Sequence, residues 1–444
     1  MRFDSATLRF GTRRVIVTNP NDQQYGHLGL EIGMSLAHAR RQGAAVCFIK
    51  PSNRLGSGLF ELESPDVRVL RPTPVVRELF RACLSGRKLL GRIDGWREAM
   101  WEQVETHFVR EVNRYVDDPA VPSEVRHRLR GVRGRVRSSL EEVTRTRGLP
   151  PLYFERQRLR ERVEVRLHPE AHKQAAALAR AHGIPADAPL VCMHARERGY
   201  KQGREVQDTK HDGRDDGARN ARIESYMAAV DELVGRGYTV VRLGDSSMTP
   251  VQHPGVVDLA TSKTRTNLLE VYCLLRSDLL IAGESGLAGV TYVTNTPFLL
   301  VNATEPIAAY PVRAPGLFLP KAVMDRRDGR RLTNDDLLAV DYHRQFRDTR
   351  RFKYIDNTPE EIREATREML EWLSGEWTET PDQRRYHETI VAAADHLRRR
   401  GSLHVRKWGL HDGFLGDGRI ARVALCGSMT SSRDRECDAM RDGS

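Results

Sequence analysis

The 444-residue chain is 39% hydrophobic, 7% aromatic and 30% charged, and its 71 basic against 60 acidic residues leave a formal net charge of +11. This composition excludes collagen, coiled coil and wholesale disorder, and the length suits two or three domains with a full core in each. No run approaches the ~20 apolar residues of a spanning helix and no charged-then-apolar leader opens the chain, so a cytoplasmic protein without a transmembrane segment is expected.

The first predicted elements form a β-α-β unit: a β-branched strand at Arg14–Thr18, a polar loop at Asn19–Gly29, a helix over Leu30–Gln42 and a buried strand at Ala44–Ile49. Val67–Leu70 offers a further strand. From Val75 to Leu167 the spacing turns helical and basic, with 13 Arg against 5 Glu between Arg126 and Arg166. These Arg ring their segment rather than line one face, which reads as a solvated helical surface, with contact to a phosphate-bearing partner as the alternative. Only 9 of the 71 basic residues are Lys, an Arg bias that by itself implies no ligand. No helix-turn-helix, zinc finger or aromatic RNA-binding signature is present, so no nucleic-acid partner is expected. The six cysteines lack metal-ligand spacing and read as buried thiols.

After Pro150–Pro151 a second alternating region begins. Strands are predicted at Leu190–His194, Thr239–Leu243, Val256–Leu259, Leu279–Ala282 and Phe298–Val301, and helices at His168–Gly183, Ala221–Gly237, Asn267–Arg276 and Gly286–Thr294. This alternation predicts a second parallel sheet with ligands at the C-terminal strand ends. Thr358–Ser374, with Pro359 at its first turn, and Pro381–Arg400 close the fold. The domain reading is therefore 1–166 with a basic helical insertion at 75–166, 167–375, a closing helical segment at 376–415, and a Gly- and Arg-rich disordered tail at 416–444.

The strand-end loops carry the chemistry. Glu284-Ser285-Gly286-Leu287 ends a strand and opens a helix, a site where backbone N–H groups and a hydroxyl suit a phosphate, or where Ser285 is a plain cap. Arg196, after His194, is able to hold two phosphate oxygens or to pair with Asp245. Gly244 gives a ligand close approach to the backbone, and Asp245 and Asp258 offer carboxylates for a base or ribose. The polar loop 201–218 suits a substrate cover. Its Asp208, Asp212, Asp215 and Asp216 fit no calcium-loop spacing, and metal-independent chemistry is expected.

The run from Glu284 to Pro297 resembles the donor-site segment of bacterial lipopolysaccharide heptosyltransferases and other GT-B glycosyltransferases, except that their His three residues after the Gly falls on Gly289 here. A wider stretch, 26–415, resembles a group of bacterial putative glycosyltransferases through Gly26-His27-Leu28, Arg219-Asn220 with Ile223 and Tyr226, Val240–Asp245 and Ser285-Gly286. His194-Ala195-Arg196 is similar to the His-x-Arg of fucosyltransferase-like enzymes. The resemblance implies an α/β GT-B fold: two Rossmann-like parallel-sheet domains facing a cleft, with the basic helical insertion. It implies an inverting transferase using a nucleotide-diphosphate sugar as co-substrate, ADP-heptose-like first and GDP-sugar next, without other cofactor. The expected acceptor is a small molecule or nucleotide, the Arg-rich Val75–Leu167 segment suiting a phosphate-bearing one, with a surface-polysaccharide intermediate as the alternative, and a homodimer is left open. His194, Arg196, Arg219, Asn220, Gly244, Asp245, Asp258, Glu284, Ser285, Gly286 and Leu287 are the donor-binding set. The base comes from the first loop, with Asp22 and His27 level and Glu31 next. An epimerase or hydrolase of the same plan, or a non-catalytic nucleotide-sugar binder, are the rival expectations.

Overall fold

The computed structural model describes residues 4–10, 13–20, 25–49, 57–73, 122–125, 159–197, 216–307, 309–399 and 415–426. Asp22, nearly all of the basic insertion, Asp208, Asp212, Asp215 and the last 18 residues lie outside the described residues.

A four-stranded sheet opens the fold. Strand β1 (Asp4–Phe10) pairs antiparallel with β2 (Arg13–Asn19), and β3 (Ala45–Phe48) and β5 (Val69–Leu70) extend the sheet in parallel. Helix α1 (Tyr25–Arg41) crosses between β2 and β3 and buries Leu28, Ile32 and Leu36. Two features differ from the sequence reading. β1 was not anticipated there, because its polar-flanked alternation is short. Helix α1 starts five residues before the expected Leu30, since Gly26 and Gly29, read as loop residues, serve a helix contact. A short β4 (Leu62–Glu63) pairs with β6 (Arg166–Leu167), tying 62–63 to the start of the second half.

The second half is a seven-stranded sheet. Its strands are β7 (Leu190–His194), β8 (Thr239–Arg242), β9 (Val256–Asp258), β10 (Leu279–Ala282), β11 (Phe298–Ala303), β12 (Gly316–Pro320) and β15 (Arg419–Ile420). Their spatial order is β15-β12-β11-β10-β7-β8-β9, with every neighbouring pair parallel. The unbroken burial of LVCMH, LLIA and FLLVNA is what a sheet covered on both faces requires. One face is covered by α3 (Met227–Gly235) and α8 (Pro359–Ser374), the other by α4 (Asn267–Arg276) and α5 (Gly286–Thr294). Helix α2 (Pro169–Ala181) precedes β7. Thr358 and Glu361 form the capping box that starts α8 with Pro359 in its first turn, as the sequence predicts.

The chain leaves β7 toward β8 and β9 on one side, then returns to β10, β11 and β12 on the other. The switch point, where open α/β sheets receive ligands, is therefore the crevice beyond the C-terminal ends of β7 and β10.

The two halves share one core. A single cluster of buried apolar residues includes Ile16 and Val46 of the first sheet, Leu28 and Ile32 of α1, Val290 of α5, and Leu280 and Leu300 of the second sheet. Helix α1 lies directly on α5: a Cβ on Gly26 would stand 2.5 Å from the carbonyl oxygen of Gly286, and one on Gly29 would stand 2.8 Å from the Cα of Val290. Only glycine permits backbones this close.

Between β12 and α8 the chain builds a small module that the sequence reading left unassigned. An antiparallel hairpin of β13 (Ala322–Asp325) and β14 (Phe352–Ile355) encloses α6 (Asn334–Leu338) and α7 (Val340–Gln345). Its own core is Val323, Leu337, Tyr342, Phe346 and Phe352. Helix α9 (Pro381–Arg399) follows. The expected tail from 416 is corrected in part: β15 pairs with β12 at the sheet edge, and α10 (Arg422–Cys426) follows it. Gln383 of α9 donates to the Ile420 carbonyl at 2.6 Å, which fixes that strand. Among the described residues, no helix is long and apolar enough to cross a membrane.

Candidate functional site

The strand ends at the switch point gather most of the expected donor residues. The imidazole of His194, at the end of β7, is 7% exposed and its Nδ1 lies 3.0 Å from the Leu243 carbonyl. A carbonyl only accepts, so Nδ1 carries the proton and Nε2 is the lone-pair nitrogen. Burial, opposed by that hydrogen bond and reinforced by the charge of Arg242, pulls the His194 pKa from 6.5 to about 4 and keeps the ring neutral. The β8–β9 side of the crevice is fixed by Arg242, which is wholly buried. It donates to Glu197 at 2.7 Å, to Asp258 at 3.1 Å and to the Thr249 carbonyl at 2.5 Å.

On the other side stands the Glu284–Ser285 turn. Glu284 is buried and its carboxylate accepts four hydrogen bonds: Thr304 N and Glu305 N at 3.0 Å each, Thr304 Oγ1 at 2.7 Å and Arg347 Nη2 at 2.8 Å. Those bonds use all of a carboxylate's lone-pair sites. Expected as a donor contact, Glu284 is instead the clamp that holds the turn to β11 and to the hairpin module. Asp258 is similarly committed, to Arg242, Val251 N, Thr261 Oγ1 and Ala260 N. The Leu287 side chain is 6% exposed and belongs to the core, so what Leu287 offers a ligand is its backbone N–H. Asp245 binds Ser247, with Oδ1 accepting from its N at 2.9 Å and its Oγ at 2.5 Å.

Ser285 is the N-cap of α5, but its side chain makes no capping bond, and its Oγ is enclosed without a hydrogen-bond partner. The first-turn N–H groups of α5 and this hydroxyl belong to the same turn. Arg219 reaches this turn, its Nη1 lying 3.5 Å from the Glu284 carbonyl oxygen. Gly286 abuts Gly26 of α1, so two helix N-termini, each with the positive end of its macrodipole, meet at one point. Asn220, next to Arg219, gives its carbonyl to Lys321 Nζ at 2.6 Å. Gly244 gives its carbonyl to Arg265.

The base candidates separate. His27 and Glu31 stand in the first two turns of α1, not in a loop, and Asp22 lies outside the described residues. Burial, with the charge of Arg219 as a further cause, lowers the His27 pKa from 6.5 to about 4, which leaves a neutral ring. Glu31 is 4% exposed and faces the interior of α1's packing.

Sequence reasoning singles out Arg265 only as a polar candidate for a nucleotide base, and misses Tyr25, Asn267 and Glu270. Tyr25, Arg265, Asn267 and Glu270 meet under the α1–α5 contact: Arg265 and Asn267 each donate to Glu270 at 3.1 Å. Burial raises the Glu270 pKa to about 7, with Arg265 opposing. The Tyr25 hydroxyl is enclosed without a partner and is likewise raised by burial, with Glu270 adding to it. An acidic residue inside the apolar helix NLLEVYCLLR was the available signal. Arg347, held at φ 63°, had none, because its role depends on a fold distant in sequence.

The departure at Gly289 has a structural cause. A Cβ there would stand 2.5 Å from the carbonyl oxygen of Gly26, so no side chain fits while α1 keeps its place.

No protein-family model matches the chain, and no curated protein matches it. Two solved structures are similar to it. ADP-heptose LPS heptosyltransferase II of E. coli is 13% identical with a TM-score of 0.35, over 82% of this chain and 98% of that one. A glycosyl transferase family 9 protein of Veillonella parvula is 13% identical with a TM-score of 0.32, over 71% and 87% of the two chains.

Proposed function

We propose that the chain is a glycosyltransferase that binds the diphosphate of a nucleotide sugar at the switch point. The carrying observation is the meeting of the α1 and α5 N-termini beside the unpartnered hydroxyl of Ser285, with Arg219 directed at the same turn. Two converging helix dipoles and a free donor favour a dianion, and the charge that a leaving diphosphate develops is stabilised by the same groups. Arg196, immediately after β7, and Arg219 supply the guanidinium charge in this reading, with no metal required.

The motif resemblance of the Glu284–Pro297 run favours an ADP-heptose-like donor, with a GDP-sugar next. His27, neutral through its lowered pKa of about 4 and electrostatically coupled to Arg219, is the described residue best suited to accept the acceptor's proton. Asp22 is the alternative base from the same N-terminal side.

Thermal shift with ADP, GDP, UDP and TDP tests the reading. One diphosphate should stabilise the wild-type chain, and Arg219→Ala and Ser285→Ala should each weaken it. Unchanged affinity in both variants removes the donor site from this turn. Turnover that persists at full rate in EDTA is expected, and an activity restored only by a divalent ion would overturn the metal-independent part. Loss of turnover in His27→Gln with donor affinity retained would support His27 as base, and full activity in that variant would eliminate it.

A further inference from the structure

A sizeable pocket lies away from the Ser285 turn. It is an open pocket of about 730 Å3 between the 217–224 segment and the β13–β14 hairpin, and of the expected donor residues only Asn220 lines it. Its size lies within the range of small-molecule sites. Its base is apolar, with Ile223 and Phe352 buried at 3% and 1% exposure.

The charge around that base is unbalanced. Lys321 and Asp356 neutralise each other at 2.7 Å, and Glu197 is spent on Arg242 and Thr249. What is left at the rim is Arg222, Arg326 and Lys353, all exposed, against Glu224. Among the described residues no carboxylate pairs with any of the three cations, and Arg326 Nε donates to the Thr349 carbonyl at 3.1 Å. The three come from separate elements, the 219–223 turn, the β13 end and β14, so the fold and not one basic run brings them together. Three unpaired cations around an apolar base favour a ligand with an oxyanion on a compact organic body.

We infer that this pocket is a second binding site, for a small phosphorylated or carboxylated molecule, separate from the Ser285 turn. The anionic group sits among Arg222, Arg326 and Lys353, and the body of the molecule covers Ile223 and Phe352. This assignment does not depend on the nucleotide-sugar reading.

Calorimetric titration of the full chain with glucose 6-phosphate, citrate and glucose tests it. At least one anionic probe should bind at millimolar concentration while glucose does not, which also tells a phosphate from a carboxylate preference. In Arg222→Gln/Arg326→Gln/Lys353→Gln, changed only at exposed positions, affinity for that probe should fall by about tenfold or more, and falling affinity in Ser285→Ala is not expected. Equal affinity in the triple variant and wild type, no binding by either anion, or loss of binding in Ser285→Ala alone would each overturn the site. Nucleotide binding that fails while the anionic probe still binds counts against the proposed function and leaves this site standing.

Discussion

The two proposed sites, the Ser285 turn and the hairpin-module pocket, would attract anions by opposite means. At the turn, the favourable field comes from backbone: two helix N-termini brought into contact by glycines, one hydroxyl, and arginines held near them. At the pocket it comes from exposed side chains on three separate elements. The first kind of site is rigid and enclosed, because its donors are part of the core packing, and it is damaged by any substitution that moves the backbone. The second depends on long, solvated side chains whose removal costs the fold little. Stability and binding should therefore respond together to substitutions that move the backbone at the turn, and separately at the pocket.

The largest effect is expected at the clamp of the turn. Glu284→Ala leaves the half-buried Arg347 guanidinium and the Thr304 and Glu305 N–H groups without this acceptor, and a loss on the order of 3–5 kcal/mol should appear in chemical unfolding. A variant within 1 kcal/mol of wild type, roughly the cost of an ordinary surface change, would show that the turn is held by something else. Gly289→His comes next. Its Cβ cannot coexist with the Gly26 carbonyl, so α1 and α5 must part at a cost of about 1–3 kcal/mol, with nucleotide affinity falling in parallel.

Acidification supplies a third test. The neutral His194 and His27 have pKa values lowered to about 4 in the fold, against 6.5 when unfolded. The unfolded chain thus binds protons first as pH falls, so the stability they support is complete above 6.5 and is lost progressively between 6.5 and 4. Glu270 runs the other way. Raised to about 7 from 4.5, it stabilises the fold while protonated and withdraws that contribution as pH climbs from 4.5 through 7. Glu270→Gln should remove this contribution to the slope of a Tm-against-pH curve between about pH 4.5 and 7, and a curve identical to wild type would remove Glu270 as its cause. The smallest stability change is expected for Ser285→Ala, within about 0.5 kcal/mol because its hydroxyl has no partner, while nucleotide affinity falls about tenfold.

Much of the second sheet was legible in the sequence, and the reason is burial on both faces. Apolar runs such as LVCMH and LLIA, separated by helical spacing, have few alternatives to parallel strands. The turn at Ser285 and the start of α8 were legible because local chemistry dictates them: a cap, a proline in the first turn, a capping box. What escaped is what only tertiary structure decides. Gly26 and Gly29 look like loop residues until α5 is placed against them. Short β13 and β14 carry no strong period, and Glu284 reads as a ligand until Thr304, Glu305 and Arg347 are seen to saturate it. The end of the chain failed for a related reason: Gly- and Arg-rich composition argues for disorder, yet two residues at 419–420 gain their hydrogen bonds from β12.

The core shared by the two sheets bears on how the molecule comes apart. Sequence alone divides it near residue 166 into two domains. Helix α1, however, buries Leu28 and Ile32 in the same cluster that holds Leu280 and Leu300. Neither sheet can lose its packing without exposing the other's, and the cooperative unit is the pair. Differential scanning calorimetry should record a single endotherm whose calorimetric and van't Hoff enthalpies agree.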